Sequence, residues 1–177
     1  MTAELPPAAF VAALAGFERM TTARLSSLLA HHPPAAAFRA AIGEEQAPPG
    51  IAAMLAKDPT LAAAWRHDRS RRDPERCLNS CVQAGVDVVA RTDARFPPLL
   101  LDDPRAPAVL FVKGDLVALE ARRVGIVGTR NATQRGRETA AEFGYELSAN
   151  GVAVVSGLAK GIDGAAHRGA LAHPEAK

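Results

Sequence analysis

The stretch VGIVGTRNATQRGRETAAEFGYELSANGVAVVSGLAKGIDGAAHRGAL, residues 124–171, decides the fold of this chain. It contains two short apolar runs, VGIV at 124–127 and VAVVS at 152–156, whose near-continuous hydrophobicity is typical of strands that are buried on both faces. The segment between them, residues 133–149, predicts a helix because its apolar residues recur at helical spacing. Strand, helix and strand in this order predict a parallel sheet covered by helices.

The predicted helix at 133–149 has one apolar face. The residues at positions i, i+3, i+4 and i+7 of this face are Ala140, Phe143, Gly144 and Leu147. A second helix is predicted from Ile162 to Ala172, directly after the loop that follows the second strand. We expect both helices to cover the sheet.

Upstream of this stretch, the sequence predicts another helix and two further strands. Asp73 before Pro74 indicates a helix start, because the carboxylate accepts from free amides and proline needs no acceptor. This helix is expected to end at Gly85, which adopts a left-handed cap easily. The runs VDVVA at 86–90 and AVLFV at 108–112 predict strands, so that four strands of the sheet are present.

The N-terminal residues 8–66 are predicted to form a small bundle of three or four short helices. Proline pairs at 33–34 and 48–49 mark boundaries between helices, because proline lacks a backbone donor and restricts the residue before it. The stretch WRHDRSRRDPER at 65–76 holds five arginines among three acidic residues. We interpret it as a solvated linker, because the acids cancel most of the field, and a DNA-contacting arm is the alternative.

Composition places the chain among folded cytoplasmic proteins. It has 177 residues, of which 48% are hydrophobic and 23% charged, and this usage argues against disorder. Cys77 and Cys81 are too few for a disulfide-stapled secreted domain, and we interpret them as core residues and not as metal ligands. No apolar run reaches the roughly 18 residues of a membrane span, and the N-terminal apolar run lacks the basic start of a signal peptide. The net charge is +2, which permits an anionic partner without predicting one.

Two loops carry the residues that favour ligand binding. Gly128-Thr129-Arg130 follows the first strand, and SGLAKG at 156–161 follows the second. Ligands of open parallel sheets bind beyond the carboxyl ends of the strands. Glycines bring backbone amides close to an anion, while Arg130 and Lys160 supply positive charge. The two loops are therefore predicted to form one cradle for a phosphate.

The residues alone leave the kind of phosphate open. Neither the G-x-G-x-x-G fingerprint nor G-x-x-x-x-G-K-[ST] is present, so NAD binding and P-loop hydrolysis are not supported. Glycines that merely permit tight turns are the alternative. A triad of Ser156, Asp163 and His167 is rejected, because Asp163 lies in a first helical turn and Ser156 lacks the G-x-S-x-G elbow. We predict no catalytic residue, no metal site and no cofactor.

The GTR and SGLAKGIDGAAH signatures, with the upstream segment RFPPLLLDDPRAPAVLFVKGDL at 95–116, closely resemble the bacterial DNA-processing protein A family, also called DprA or Smf. The resemblance covers residues 74–177. It implies an α/β fold, in which a Rossmann-like parallel sheet at 69–177 follows a small helical SAM-like domain at 1–68. Because family members continue beyond Lys177, we expect this sheet to be incomplete and its domain truncated.

The resemblance also implies a function. Family members bind single-stranded DNA, protect incoming strands during natural transformation, form homodimers and help to load the recombinase RecA. We therefore expect a non-enzymatic DNA-binding protein of competence and recombination, without membrane contact, whose partners are single-stranded DNA and RecA. The family's phosphate-binding motifs fall on Gly128, Thr129, Arg130, Ser156, Gly157, Lys160 and Gly161. The alternative is a Rossmann-like enzyme or sensor that binds a nucleotide phosphate, including a nucleotide hydrolase.

Overall fold

A computed structural model describes residues 5–174 of the chain. The chain divides into two compact units, and the division falls between Gly114 and Asp115. The first unit contains α1 (Pro7–Ala15), α2 (Thr22–His31), α3 (Pro34–Ile42), α4 (Pro49–Lys57), α5 (Pro59–Arg71), α6 (Pro74–Gln83), β1 (Asp87–Ala90), the short helix α7 (Pro98–Leu101) and β2 (Val109–Val112). The second unit contains a 3₁₀ turn (Leu116–Leu119), β3 (Arg123–Gly125), α8 (Gln134–Ala149), β4 (Ala153–Val155) and α9 (Ile162–Ala172).

The helices of the first unit begin where proline and capping residues place them. α1, α3, α4, α5 and α6 each start with proline, whose missing amide is not needed in the first turn. The side chain of Asp73 accepts from the amide of Arg76 at 2.9 Å, and α6 ends before Gly85, whose φ is +64°. The predicted start and end of this helix are therefore confirmed.

The core of the first unit is built around three aromatic side chains. Phe17 packs edge-to-face against Phe38 and Trp65, with ring centroids 5.6 and 6.1 Å apart. Trp65 is fully buried, and its indole N–H donates to the carbonyl oxygen of Glu18 at 2.8 Å. Residues from α1, α2, α3, α4 and α5 all contribute to this core.

The interpretation of residues 65–76 as a solvated linker is wrong. α5 continues to Arg71, and its buried side chains Leu61, Trp65 and Asp68 lie on one face at helical spacing. Asp68 accepts from the amide of Glu18 at 2.8 Å, so this acid stabilises the fold instead of cancelling neighbouring arginines. With α5 complete, residues 5–72 contain five helices and not three or four.

The strands β1 and β2 do not belong to a parallel sheet. They pair with each other in antiparallel fashion, with Asp87 opposite Val112 and Ala90 opposite Val109. The only helix between them is the four-residue α7, which is too short for the crossover that parallel neighbours require. The expectation of four strands in one parallel sheet is therefore corrected to two separate pairs among the described residues.

The second unit contains the predicted strand–helix–strand arrangement. β3 and β4 pair in parallel, with Arg123 opposite Ala153 and Gly125 opposite Val155. α8 and α9 pack closely against each other, because a Cβ atom on Gly144 or Gly169 would collide with a carbonyl oxygen of the other helix. Ala140 and Gly144 of the predicted apolar face are buried, but Phe143 is 62% exposed.

The combination of helices with small sheets confirms the α/β class. The domain boundary predicted at 68/69 falls inside α5, whereas the compact units divide at 114/115. A separate domain at residues 1–68 stays a prediction. The outer ends of the two predicted domains, residues 1–4 and 175–177, lie outside the described residues.

Candidate functional site

Two loops that contain glycine lie at the same edge of the β3–β4 sheet. The first glycine loop (residues 128–131) leads from β3 towards α8, and the second glycine loop (residues 156–161) leads from β4 to α9. Because the strands are parallel, their carboxyl ends share an edge. The amide of Ile162, the first residue of α9, donates to the carbonyl oxygen of Thr129 at 3.2 Å. Gly161 of the second loop lies directly against the carbonyl group of Arg130, so the two loops are in contact.

Glycine is required where the loops touch. A Cβ atom on Gly161 would lie 2.6 Å from the carbonyl oxygen of Arg130, and the φ of Gly161 is +90°. A Cβ atom on Gly128 would lie 2.7 Å from Cγ1 of Ile162. A larger residue at either position would push the loops apart.

The carboxylate of Asp163 lies between the two loops. This residue is 5% exposed, and its Oδ1 accepts from the amide of Gly128 at 3.2 Å. Its Oδ2 faces Gly157, where a Cβ atom would lie only 3.1 Å away. Burial raises the pKa of Asp163, but the hydrogen bond from the amide of Gly128 lowers it. With the amides of Ala159 and Gly157 added, the pKa of this carboxyl lies below its ordinary value.

Ser156 connects the ends of the two strands. Its hydroxyl donates to the carbonyl oxygen of Ile126 at 2.6 Å, so its proton is directed at the backbone of the protein. Within residues 5–174 no hydrogen bond joins Asp163 to His167, because the carboxylate faces the glycine loops. Ser156, Asp163 and His167 therefore do not form a catalytic triad.

The two cations of the loops are available to an anion. Arg130 and Lys160 are exposed, and neither forms an ion pair within residues 5–174. All ion pairs of the described residues lie in the first unit. The described basic residues of the second unit are Arg122, Arg123, Arg130, Arg135, Arg137, Lys160 and Arg168. Their charge is not neutralised by paired acids, which favours an anionic partner.

All seven residues of the predicted site lie in the two touching loops. Sequence reasoning missed the contribution of Asp163, which it assigned only to the helix dipole. The signal was present, since Asp163 is an acidic residue two positions after a loop glycine, but its partner Gly128 is 35 positions away in sequence. Leu158 was missed as well: its φ is +55° and its side chain is 76% exposed in the second glycine loop.

Residues 5–174 contain no group of three or more His, Cys, Asp or Glu side chains that could hold a metal ion. No helix in that range is long and apolar enough to cross a membrane.

The fold and the loops define an α/β protein whose candidate binding site lies at the end of a parallel strand pair. The model of the family described as DNA recombination-mediator protein A matches residues 87–176, about half of the chain. The chain belongs to this family.

Similar proteins carry matching names. The chain is 34% identical to the DNA processing protein DprA of Bacillus subtilis (strain 168) over 120 residues, which are 66% of this chain and 40% of that protein. It is 42% identical to the protein Smf of Escherichia coli (strain K12) over 76 residues, which are 43% of this chain and 20% of that protein. The chain thus spans two fifths or less of these relatives.

A solved structure has a similar fold. The X-ray structure of DNA processing protein A (DprA) from Streptococcus pneumoniae aligns with a TM-score of 0.60 and 24% sequence identity. The alignment covers 95% of this chain and 54% of that chain. It therefore includes both compact units described above.

Proposed function

We propose that this chain binds single-stranded DNA through its sugar-phosphate backbone, at the two glycine loops. The observation that carries this proposal is the placement of two exposed cations, Arg130 and Lys160, on loops that touch. Neither cation forms an ion pair with another residue of 5–174. Membership of the family supports it, because relatives of this chain are named as DNA processing proteins. Phosphate is the anion that every DNA strand presents, regardless of its sequence.

The seven residues divide into those that contact phosphate and those that shape the loops. The guanidinium of Arg130 pairs with phosphate oxygens, and the ammonium of Lys160 adds a second charge. The hydroxyl of Thr129 accepts from the amide of Asn131 at 3.2 Å and keeps its proton for an oxygen of the ligand. The amide of Gly128 is already donated to Asp163, so it does not contact DNA.

The remaining residues of the site act through shape. Gly128 and Gly161 permit the close approach of the loops, and Ser156 ties the strand ends together. Gly157 lies against the carboxylate of Asp163 without a side chain to displace it. Affinity then comes mainly from charge, so it falls steeply as salt concentration rises.

We also propose that this protein acts as a non-catalytic mediator of transformation and recombination. It would receive incoming single strands and assist their transfer to RecA, in the cytoplasm. The parallel pair β3–β4 with α8 and α9 is proposed as the start of a Rossmann-like sheet, and the helices of the first unit as a SAM-like domain. The likeness to the Streptococcus pneumoniae structure supports this fold.

Fluorescence anisotropy tests the proposal. A labelled oligothymidine should bind the 177-residue chain at low salt, and unlabelled oligothymidine should displace it at lower concentration than duplex DNA or AMP. Displacement by AMP alone would favour the alternative, a nucleotide-phosphate-binding enzyme or sensor. No binding by a folded sample would contradict both functions.

A further inference from the structure

Asp163 is an unusual residue to find at an anion site. Its buried carboxylate carries a negative charge directly behind the loops that present Arg130 and Lys160. By Coulomb's law this charge weakens the attraction of the site for phosphate. A buried carboxylate at this position therefore indicates a structural role that outweighs the weaker attraction for phosphate.

The contacts of Asp163 supply such a role. The first glycine loop is held by the hydrogen bond from the amide of Gly128 to Oδ1, at 3.2 Å. The second loop lies on the other side, where Oδ2 faces Gly157 so closely that a Cβ atom there would be 3.1 Å away. The nearby backbone amides of Ala159 and Gly157 lower the pKa of the carboxyl from this side. A carboxylate has two acceptor oxygens, so one side chain can serve both loops at once.

We propose that Asp163 is a positioning residue that sets the spacing between the two glycine loops and thereby places Arg130 and Lys160 for phosphate binding. It touches no DNA and acts through the backbone of the loops. This inference rests on the proposed function for its effect on affinity, but not for its effect on the loops.

Only a carboxylate satisfies this arrangement. Asn at position 163 would keep one oxygen for Gly128 and turn an NH₂ donor towards the amides of the second loop. Two donors that face each other in a buried site leave hydrogen bonds unmade, so the loops would separate. Within the described residues no basic side chain forms an ion pair with Asp163, so its carboxylate faces only the backbone of the loops, at Gly128 and Gly157.

The substitution Asp163→Asn distinguishes the positioning effect of Asp163 from the effect of its charge, because the two change the affinity for oligothymidine in opposite directions. Removal of a negative charge near the site would by itself tighten binding of oligothymidine. Loss of positioning would weaken it roughly tenfold and make the salt dependence shallower, because a phosphate contact is lost. Unchanged or tighter binding by a folded Asp163→Asn variant would overturn the proposal.

Asp115→Asn is the matched control. Asp115 lies in the same unit and also accepts from a backbone amide, that of Val117 at 2.9 Å, but it caps the 3₁₀ turn and not a glycine loop. This variant removes the same charge from the second unit and should bind oligothymidine at least as tightly as the unaltered chain. A loss of affinity equal to that of Asp163→Asn would show that the effect is not specific to the loops and would overturn the proposal.

Amide hydrogen exchange in the unaltered chain tests, without DNA and without a variant, whether Asp163 holds the first glycine loop. Gly128 is exposed, yet its amide should exchange about tenfold or more slowly than that of Thr129, because Asp163 holds it. Equal exchange at these two amides would overturn the proposal even if Asp163→Asn did not fold. Slow exchange at Gly128 in a chain that binds no DNA would retain the positioning of the loops and contradict only the proposed function.

Discussion

At the scale of single residues, Arg130 is the side chain on which the proposed DNA affinity depends most. Arg130→Ala should weaken binding of single-stranded DNA by about 1–3 kcal/mol at low salt, the size of a lost charge-assisted contact. Arg123→Ala is the control, since Arg123 is also exposed but lies at the opposite end of β3. Titration of both variants with labelled oligothymidine measures the difference. Equal losses would indicate that net charge matters and not the loop.

A second residue-scale prediction concerns acid stability. The hydroxyl of Thr60, the amide of Leu61 and the guanidinium of Arg19 hold the pKa of Asp58 at about 2, against an ordinary value of 3.8. Because the folded-state pKa is depressed, Asp58 stabilises the fold above pH 3.8, and this contribution is lost as the pH falls towards 2.

Asp58→Asn should therefore flatten the pH dependence of unfolding in this range, because the amide caps α5 without titrating. Urea unfolding at each pH measures the free energy of unfolding. The fluorescence of Trp65 reports the transition, because Trp65 is the only tryptophan of the chain and is buried in the same unit. If the unaltered chain and the variant lose stability in parallel as the pH falls, the role of Asp58 is wrong.

Sequence reasoning found the residues of the loops but not their hydrogen bonds. The residue types and order of Gly128, Arg130 and Lys160 can be read directly from the sequence and predict a phosphate site. The family resemblance narrowed the predicted ligand to single-stranded DNA. The bonds of Asp163 and Ser156 join positions 35 and 30 apart, and no periodicity reports such contacts. Their partners are backbone groups, which every residue possesses, so residue identity could not reveal them.

At the scale of elements, glycine packing between α8 and α9 determines how the second unit holds together. Gly144→Ala should destabilise it, because the new Cβ would collide with the carbonyl oxygen of Ala166. Gly50→Ala in α4 is the control, because nothing lies within 4 Å of the new Cβ and a helical alanine gains about 0.5–1 kcal/mol over glycine. Thermal unfolding of the two variants should shift in opposite directions. A shift to higher temperature for Gly144→Ala would contradict the packing.

The bounds of a helix could be predicted where its apolar residues recur at regular helical spacing. α9 has the predicted bounds. α8 begins at Gln134, one residue after its predicted start, and Thr133 is its N-cap. The C-terminal half of α5 was not predicted as helix, because it contains several exposed arginines and because the helix has only three buried residues. The pairing of β1 with β2 was missed because apolar runs look alike in parallel and antiparallel pairs.

At the scale of the whole molecule, the two compact units predict where the chain can be divided. A fragment of residues 1–114 should unfold cooperatively, because it retains the helical core with α6, β1 and β2. A fragment of residues 1–68 should not, because it ends inside α5 and loses Cys77, Ala108 and Val109 from around the core. Circular dichroism during urea unfolding distinguishes them. Cooperative unfolding of the shorter fragment would instead support the boundary predicted from sequence.

The central claim is that the two glycine loops together bind the backbone of single-stranded DNA. Titration of the isotope-labelled chain with oligothymidine, followed by amide NMR, tests it most directly. We expect the signals of Thr129, Arg130, Leu158 and Lys160 to shift together with one dissociation constant. Shifts confined to one loop, or largest among the arginines of residues 65–76, would contradict it.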